Sequence, residues 1–184
     1  MSPASNNRAV FLDRDGTIME DATYVGKVEH VVLIPHAPQA LKRLQDAGYK
    51  LFIITNQSGV GRGYFTREAV ESIHAHLKEH FGRAGVRFDR YYVCPHHPED
   101  NCECRKPKPK FLLDAAREYG LDLSGCFMIG DRASDVQAGL NAGVRTVLVL
   151  TGAGRETLTN QEVKPDHVAN DIAEAAAWIL RHGR

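Results

Sequence analysis

The chain has 184 residues, 43% of them hydrophobic, with Lys plus Arg and Asp plus Glu at 23 each. That length suits one domain with a true apolar core rather than two catalytic domains, and the balanced charge, with no basic stripe, argues against electrostatic capture of nucleic acid. The longest strongly apolar stretches, such as Leu51–Ile54 and Val147–Leu150, fall far short of the roughly 20 residues that span a bilayer, so no membrane partner is expected.

Residues 1–8 carry Ser, Pro and Asn without an apolar signal region. They read as a flexible tail before a single domain from Ala9 to Arg184, with the cytoplasm as the expected location. Ala9–Asp13 is an apolar run ending in a carboxylate, as a buried strand opening into a loop would be. Pro35–Ala47 places Ala37, Ala40, Leu41 and Leu44 at helical spacing, with Gly48 to end the helix. Tyr49–Ile54 predicts a second strand, stopped by Thr55, Asn56 and Gln57. Thr66 is placed to cap a helix whose inner face is Val70, Ile73, Leu77 and Phe81. Phe88–Cys94 predicts a third strand, and Pro109 opens a helix through Phe111, Leu112, Ala115, Ala116 and Tyr119 to Gly120. Cys126–Ile129 and Val144–Leu150 are further strand candidates, separated by a short helix from Ser134 to Gly143, and Cys126 is read as a core residue. Asp171 and Glu174 match a capping box for a last helix bearing Ile172, Ala176 and Ile179. This alternation predicts an α/β fold, a Rossmann-like, mostly parallel sheet with helices on both faces. Ligands of such sheets bind beyond the carboxyl ends of the strands, where Asp13, Thr55 and Asp131 fall.

The segment Phe11-Leu12-Asp13-Arg14-Asp15-Gly16-Thr17 sets two carboxylates two residues apart directly after a strand. A carboxylate at Asp13 can attack phosphorus, while Asp15 protonates the leaving oxygen and later deprotonates water. Taken alone, the same segment also suits an Asp-rich turn. Asp131 ends another strand, and Mg2+ favours a few hard oxygens, so Asp13, Asp131 and the carbonyl of Asp15 are assigned to it. Two readings of Asp135 stand: a hydrogen bond to the metal shell, or a charge favouring the first helical turn. Thr55 can donate its hydroxyl to a phosphoryl oxygen, with Asn56 beside it. Lys106 offers the inner charge for the phosphoryl group, and Arg105 a contact to substrate. The glycine-rich Asn56–Gly63 segment lacks a P-loop pattern; it reads either as a flexible substrate loop with Arg62 as an anion contact or as a solvent-facing turn.

Cys94, His96, Cys102 and Cys104 form C-x-H and C-x-C pairs joined by a five-residue bridge. Three thiolates and an imidazole make a closed tetrahedral Zn2+ set, so this ion is expected to be structural and to hold the following Arg105 and Lys106 over the site. His97 stands as the alternate ligand or as a nearby contact.

On these motifs the chain resembles the haloacid dehalogenase superfamily of phosphohydrolases over nearly its whole length. The nucleophile segment is Asp13-Arg14-Asp15, the second-strand hydroxyl Thr55, the basic residue Lys106, and the final acidic motif Gly130-Asp131 with Asp135. The stretches FLDRDGT, TNQSGVGRGYF and CxH…CxCRKP are similar to the branch acting on heptose bisphosphate and histidinol phosphate. The resemblance implies a minimal cap and a zinc-bound loop beside the pocket; a small phosphorylated metabolite is the expected partner and a monomer the expected state. It also implies removal of the C7 phosphate of D-glycero-D-manno-heptose 1,7-bisphosphate, with histidinol phosphate as the alternative. A phosphoaccepting receiver domain shares clustered aspartates and Mg2+, but Asp15 beside the nucleophile argues for rapid hydrolysis.

Overall fold

The computed structural model describes residues 7–183. Of the expected tail, residues 1–6 lie outside the described residues, whereas Asn7 and Arg8 are anchored. The Asn7 carbonyl accepts from Asp122 N at 2.8 Å, and Arg8 donates to the carbonyls of Gly183 and Ala47 at 2.6 and 3.2 Å.

Among the described residues six strands build one sheet: β1 (Ala9–Leu12), β2 (Lys50–Asn56), β3 (Arg90–Cys94), β4 (Phe127–Gly130), β5 (Arg145–Val149) and β6 (His167–Ala169). Their order is β3-β2-β1-β4-β5-β6 and every neighbouring pair is parallel. Side chains alternate between two cores, as the period of two in a strand demands. Val10, Leu12, Leu51, Ile53, Phe127 and Ile129 enter one core, while Ala9, Phe11, Phe52, Ile54, Cys126 and Met128 enter the other.

Among the described residues seven α-helices accompany the sheet: α1 (Ala37–Asp46), α2 (Ser58–Gly61), α3 (Arg67–Arg83), α4 (Lys110–Tyr119), α5 (Ala133–Ala142), α6 (Gly154–Asn160) and α7 (Ile172–His182). The apolar stripes of α1, α3 and α7 close the first core; Leu112 and Ala115 of α4 and Ala142 of α5 close the second. Both faces are thereby covered, which is why the strands read as continuous apolar runs.

The predicted caps form with one adjustment. Thr66 Oγ1 accepts from Ala69 N at 3.2 Å, and Asp171 Oδ1 from Glu174 N at 2.9 Å. The Glu174 carboxylate, however, reaches back to Asn170 N at 2.7 Å, one residue before the expected partner. The third strand begins at Arg90 rather than Phe88, because Asp89 turns its carboxylate to Leu51 N and Phe88 packs edge-on against Phe81. The short β6 and α6 were not anticipated; three strand residues at a sheet edge carry no readable periodicity.

Two topological facts position the site. β1 and β4 are neighbours where the strand order reverses, the usual location of a ligand crevice. The segment 13–36 is folded on itself by two isolated bridges, Asp15 with Met19 and Met19 with Leu33, and a short turn at Val28–His30, with no inserted domain.

Candidate active site

Asp13 leaves β1 with its N–H bonded to the Ile129 carbonyl at 2.9 Å, which ties it to the end of β4. Asp131 follows β4, and Asp135 lies in the first turn of α5. All three are buried, and each offers a carboxylate oxygen within 4.8 Å of the others. Backbone space is what admits them: a Cβ on Gly16 or Gly152 would overlap the Asp131 carboxyl, and one on Gly130 that of Asp135.

Lys106 reaches this cluster from the loop before α4. Its Nζ lies 2.8 Å from Asp13 Oδ1, 2.6 Å from Asp135 Oδ1 and 2.7 Å from the Ile54 carbonyl. Burial opposes the charged lysine, but Asp13 and Asp135 outweigh it and hold the ammonium above the usual lysine range. One ammonium does not balance three carboxylates. Burial, followed by Asp135, raises the Asp13 carboxyl well above its ordinary value, and the same two causes push Asp131 up to about 7.

Asn56 clamps the Lys106 backbone from both sides: its Nδ2 donates to the Lys106 carbonyl at 3.2 Å, and its Oδ1 accepts from Lys106 N at 3.1 Å. Thr55 is buried beneath the cleft and accepts from Gln57 Nε2 at 2.8 Å. The same Gln57 nitrogen donates to Asp15 Oδ2 at 2.8 Å. Arg14, fully buried, grips Asp15 side-on, Nε to Oδ2 at 3.0 Å and Nη2 to Oδ1 at 2.9 Å.

A cleft of about 420 Å³ opens above these groups. Its walls include Asp13, Asp15, Asn56, Arg62, Arg105 and Lys106, with Arg132 and Tyr24 facing them. Arg132 pairs with Asp21 at 2.5 Å, tying the start of α5 to the segment after β1. The buried Arg105 Nη1 has no hydrogen-bond partner among the described residues.

Beside the cleft, the ligand atoms of Cys94, His96, Cys102 and Cys104 converge. Sγ–Sγ separations are 3.6 Å for Cys94–Cys102 and 3.7 Å for Cys104–Cys102, and His96 Nδ1 lies 3.7 and 3.3 Å from Cys94 and Cys104 Sγ. A tetrahedron with Zn–S of about 2.3 Å has S–S edges of about 3.75 Å, so the donor set fits zinc. His97 stands outside the cluster, accepting from Glu99 N at 3.2 Å. Ser58–Gly61, within the expected flexible segment, is a helical turn seated on this loop, since a Cβ on Gly61 would strike the backbone of Pro95, His96 and His97.

Comparison with known proteins agrees with this geometry. The HAD-hydrolase-like family profile matches residues 103–175. D-glycero-beta-D-manno-heptose-1,7-bisphosphate 7-phosphatase of Helicobacter pylori is 46% identical over 147 residues, covering 79% of this chain and 85% of that protein. The enzyme of the same name from Pseudomonas aeruginosa is 37% identical over 173 residues, 94% of this chain and 97% of the relative. The chain belongs to the haloacid dehalogenase-like hydrolases. It is a phosphoric monoester hydrolase of that family. The crystal structure of D,D-heptose 1,7-bisphosphate phosphatase from B. bronchiseptica, complexed with magnesium and phosphate, is 36% identical and superposes with a TM-score of 0.90, covering 95% of this chain and 98% of the other.

In this hydrolase the acidic cluster fits a hard divalent cation. With all three carboxyls ionised, one ammonium leaves an excess of two negative charges for a cation to offset, and Asp131 Oδ1 is buried without a hydrogen-bond partner among the described residues. Sequence reasoning passed over Arg14, Gln57 and Arg132. Arg14 had a visible signal, a cation between two carboxylates, but nothing in the sequence marked it as buried.

Proposed function

We propose that this hydrolase removes the C7 phosphate of D-glycero-D-manno-heptose 1,7-bisphosphate through an aspartyl phosphate at Asp13, with Mg2+ as cofactor. The carrying observation is the buried Asp13 carboxylate in the cleft, paired with Lys106 and within ion-sharing distance of Asp131 and Asp135. Asp13, Asp131 and the Asp15 carbonyl would hold the ion, with Asp135 anchoring Lys106 beside it. When bound, Mg2+ offsets the carboxylate repulsion and the charge of the phosphoryl oxygens.

An Asp13 carboxylate oxygen attacks phosphorus as the bond to the C7 oxygen breaks, and Asp15 gives its proton to that oxygen. Asp15 then takes a proton from water, whose oxygen attacks the phosphorus and releases Asp13 and inorganic phosphate. Thr55 and Lys106 donate to the phosphoryl oxygens, and Asn56 fixes Lys106 through its backbone. Arg62, Arg105 and Arg132 line the same cleft, a cationic wall suited to a substrate with a second phosphate, and Arg105 Nη1 has no hydrogen-bond partner among the described residues. The names of the relatives favour the heptose bisphosphate. The Cys94, His96, Cys102 and Cys104 set is read as a structural zinc site, and the enzyme as a cytoplasmic monomer; among the described residues no helix is long and apolar enough to cross a membrane.

Phosphate release measured side by side with the α and β heptose bisphosphates and histidinol phosphate tests the substrate reading. The expected result is a kcat/KM at least about tenfold higher for a heptose bisphosphate. Preference for histidinol phosphate would overturn it.

A further inference from the structure

Asp15 is held by more than its role in the cleft requires. A carboxylate has about four acceptor positions. The side-on Arg14 pair fills one on each oxygen, and Gln57 fills the second on Oδ2. The remaining position lies on Oδ1, so the carboxyl presents one oxygen to whatever occupies the cleft.

Arg14 in turn is oriented from behind. Its Nη1 lies 3.4 Å from His74 Nε2, on the inner face of α3. The His74 ring stacks on Tyr91 of β3 with centroids 4.6 Å apart, and both Arg14 and His74 are buried. Burial, then the neighbouring guanidinium, disfavours a charged imidazole, so Nε2 serves as the acceptor and Arg14 as the donor. An apolar side chain there would leave an Arg14 N–H buried and unpaired, a group that would turn to find another partner.

We propose that His74 is a positioning residue for the proton-transfer step: through Arg14 it sets the orientation of Asp15, although it touches neither substrate nor metal. The proposal rests on the reading of Asp15 as the acid and base. It assigns a specific consequence to a residue in a helix outside the cleft. Misorientation of Asp15 should matter in proportion to how badly the leaving oxygen needs a proton. An alkyl phosphate depends on that proton, whereas 4-nitrophenyl phosphate expels a stabilised phenolate and depends on it least. General damage to the fold would instead lower both rates together.

The test is the rate of the first turnover, by rapid quench, on 4-nitrophenyl phosphate, phenyl phosphate and an alkyl phosphate. It compares the wild type with His74→Leu, His74→Gln, Arg14→Lys and Asp15→Asn. The ratio of alkyl to 4-nitrophenyl rates is expected to fall about tenfold in His74→Leu, and further in Arg14→Lys, which cannot pair side-on. It should return to within about threefold of wild type in His74→Gln, which restores an acceptor. If Asp15→Asn lowers this ratio strongly and His74→Leu leaves it at the wild-type value, the positioning role is wrong while the acid–base reading stands. If Asp15→Asn does not lower the ratio, the underlying reading itself is wrong. A His74→Leu protein slowed equally on all three esters would mark His74 as structural only and overturn the proposal.

Discussion

The acidic cluster and the cysteine loop are both expected to hold metal ions, yet they are built in opposite ways. Asp13, Thr55 and Asp131 come from distant stretches of chain and meet because β1, β2 and β4 are adjacent and in register, and Lys106 joins them from the loop before α4, held by Asn56 and the Ile54 carbonyl. Cys94, His96, Cys102 and Cys104 lie within eleven residues, and their loop packs little apolar surface of its own. The first site is a consequence of the folded sheet; the second is expected to depend on an ion to hold a loop that leads directly into Arg105 and Lys106. Disturbing the acidic cluster should therefore remove chemistry and spare the fold, whereas disturbing the loop should loosen structure locally and weaken chemistry at second hand.

The largest effect is expected from Asp13→Asn. Turnover should fall by at least about 10⁴-fold, with zinc content and the unfolding transition retained. Substantial residual activity, or loss of zinc, would break the contrast between the two regions.

Cys102→Ser, or chelation to a verified zinc-free state, should lower kcat/KM roughly 10- to 100-fold as Lys106 and Arg105 lose their fixed geometry. Far-ultraviolet circular dichroism should keep the sheet and helices, and proteolysis should cut first within residues 95–104. Equal activity with and without zinc would show that the loop does not position Lys106.

Protons should also compete with magnesium at the acidic cluster. In the metal-free protein the Asp131 carboxyl is raised from 3.8 to about 7 by burial and by Asp135. A raised carboxyl binds more protons folded than unfolded, so this group's contribution to stability falls as pH climbs from about 4 to about 7. Mg2+ requires the carboxylate, so the rise in unfolding midpoint that it causes should grow over the same interval. Asp131 alone contributes at most about 1.4 kcal/mol per pH unit, levelling above pH 7, and the raised Asp13 carboxyl adds to the slope in the same direction. Calorimetry with and without Mg2+ from pH 5 to 8 checks this; a shift independent of pH would contradict the buried, mutually repelling carboxylates.

A smaller effect belongs to neither region. Thr66→Ala removes the cap at the start of α3 and should cost about 1 kcal/mol of stability while leaving kcat in place. A larger loss of activity than of stability would mean that α3 communicates with the cleft through more than His74.

The same contrast governs which features are legible in the amino-acid sequence. Strands such as Lys50–Asn56 and helices such as Arg67–Arg83 were legible because apolar spacing and caps are local signals. The short edge strand His167–Ala169 was not, being too brief to show a period. The cysteine set was legible from donor type and spacing alone. The roles of Asp13, Thr55 and Asp131 rest on strand ends and family resemblance, and that of Lys106 on its polar loop and the same resemblance, since only the fold brings the four together. Gln57 and Arg14 escaped because their importance lies in partners across the fold: Gln57 bridges Thr55 and Asp15, and Arg14 is enclosed by Asp15 and His74. Arg132 escaped for the same reason, its partner Asp21 lying 111 residues away.

The most direct test of the central claim is to trap the phosphorylated enzyme. Rapid acid quench of the first turnover with radiolabelled substrate, followed by peptide mapping, should find the phosphoryl group on Asp13. The label should depend on Mg2+ and be lost in Asp13→Asn. Phosphate on any other residue, or full turnover with no labelled protein at any time point, would contradict the account.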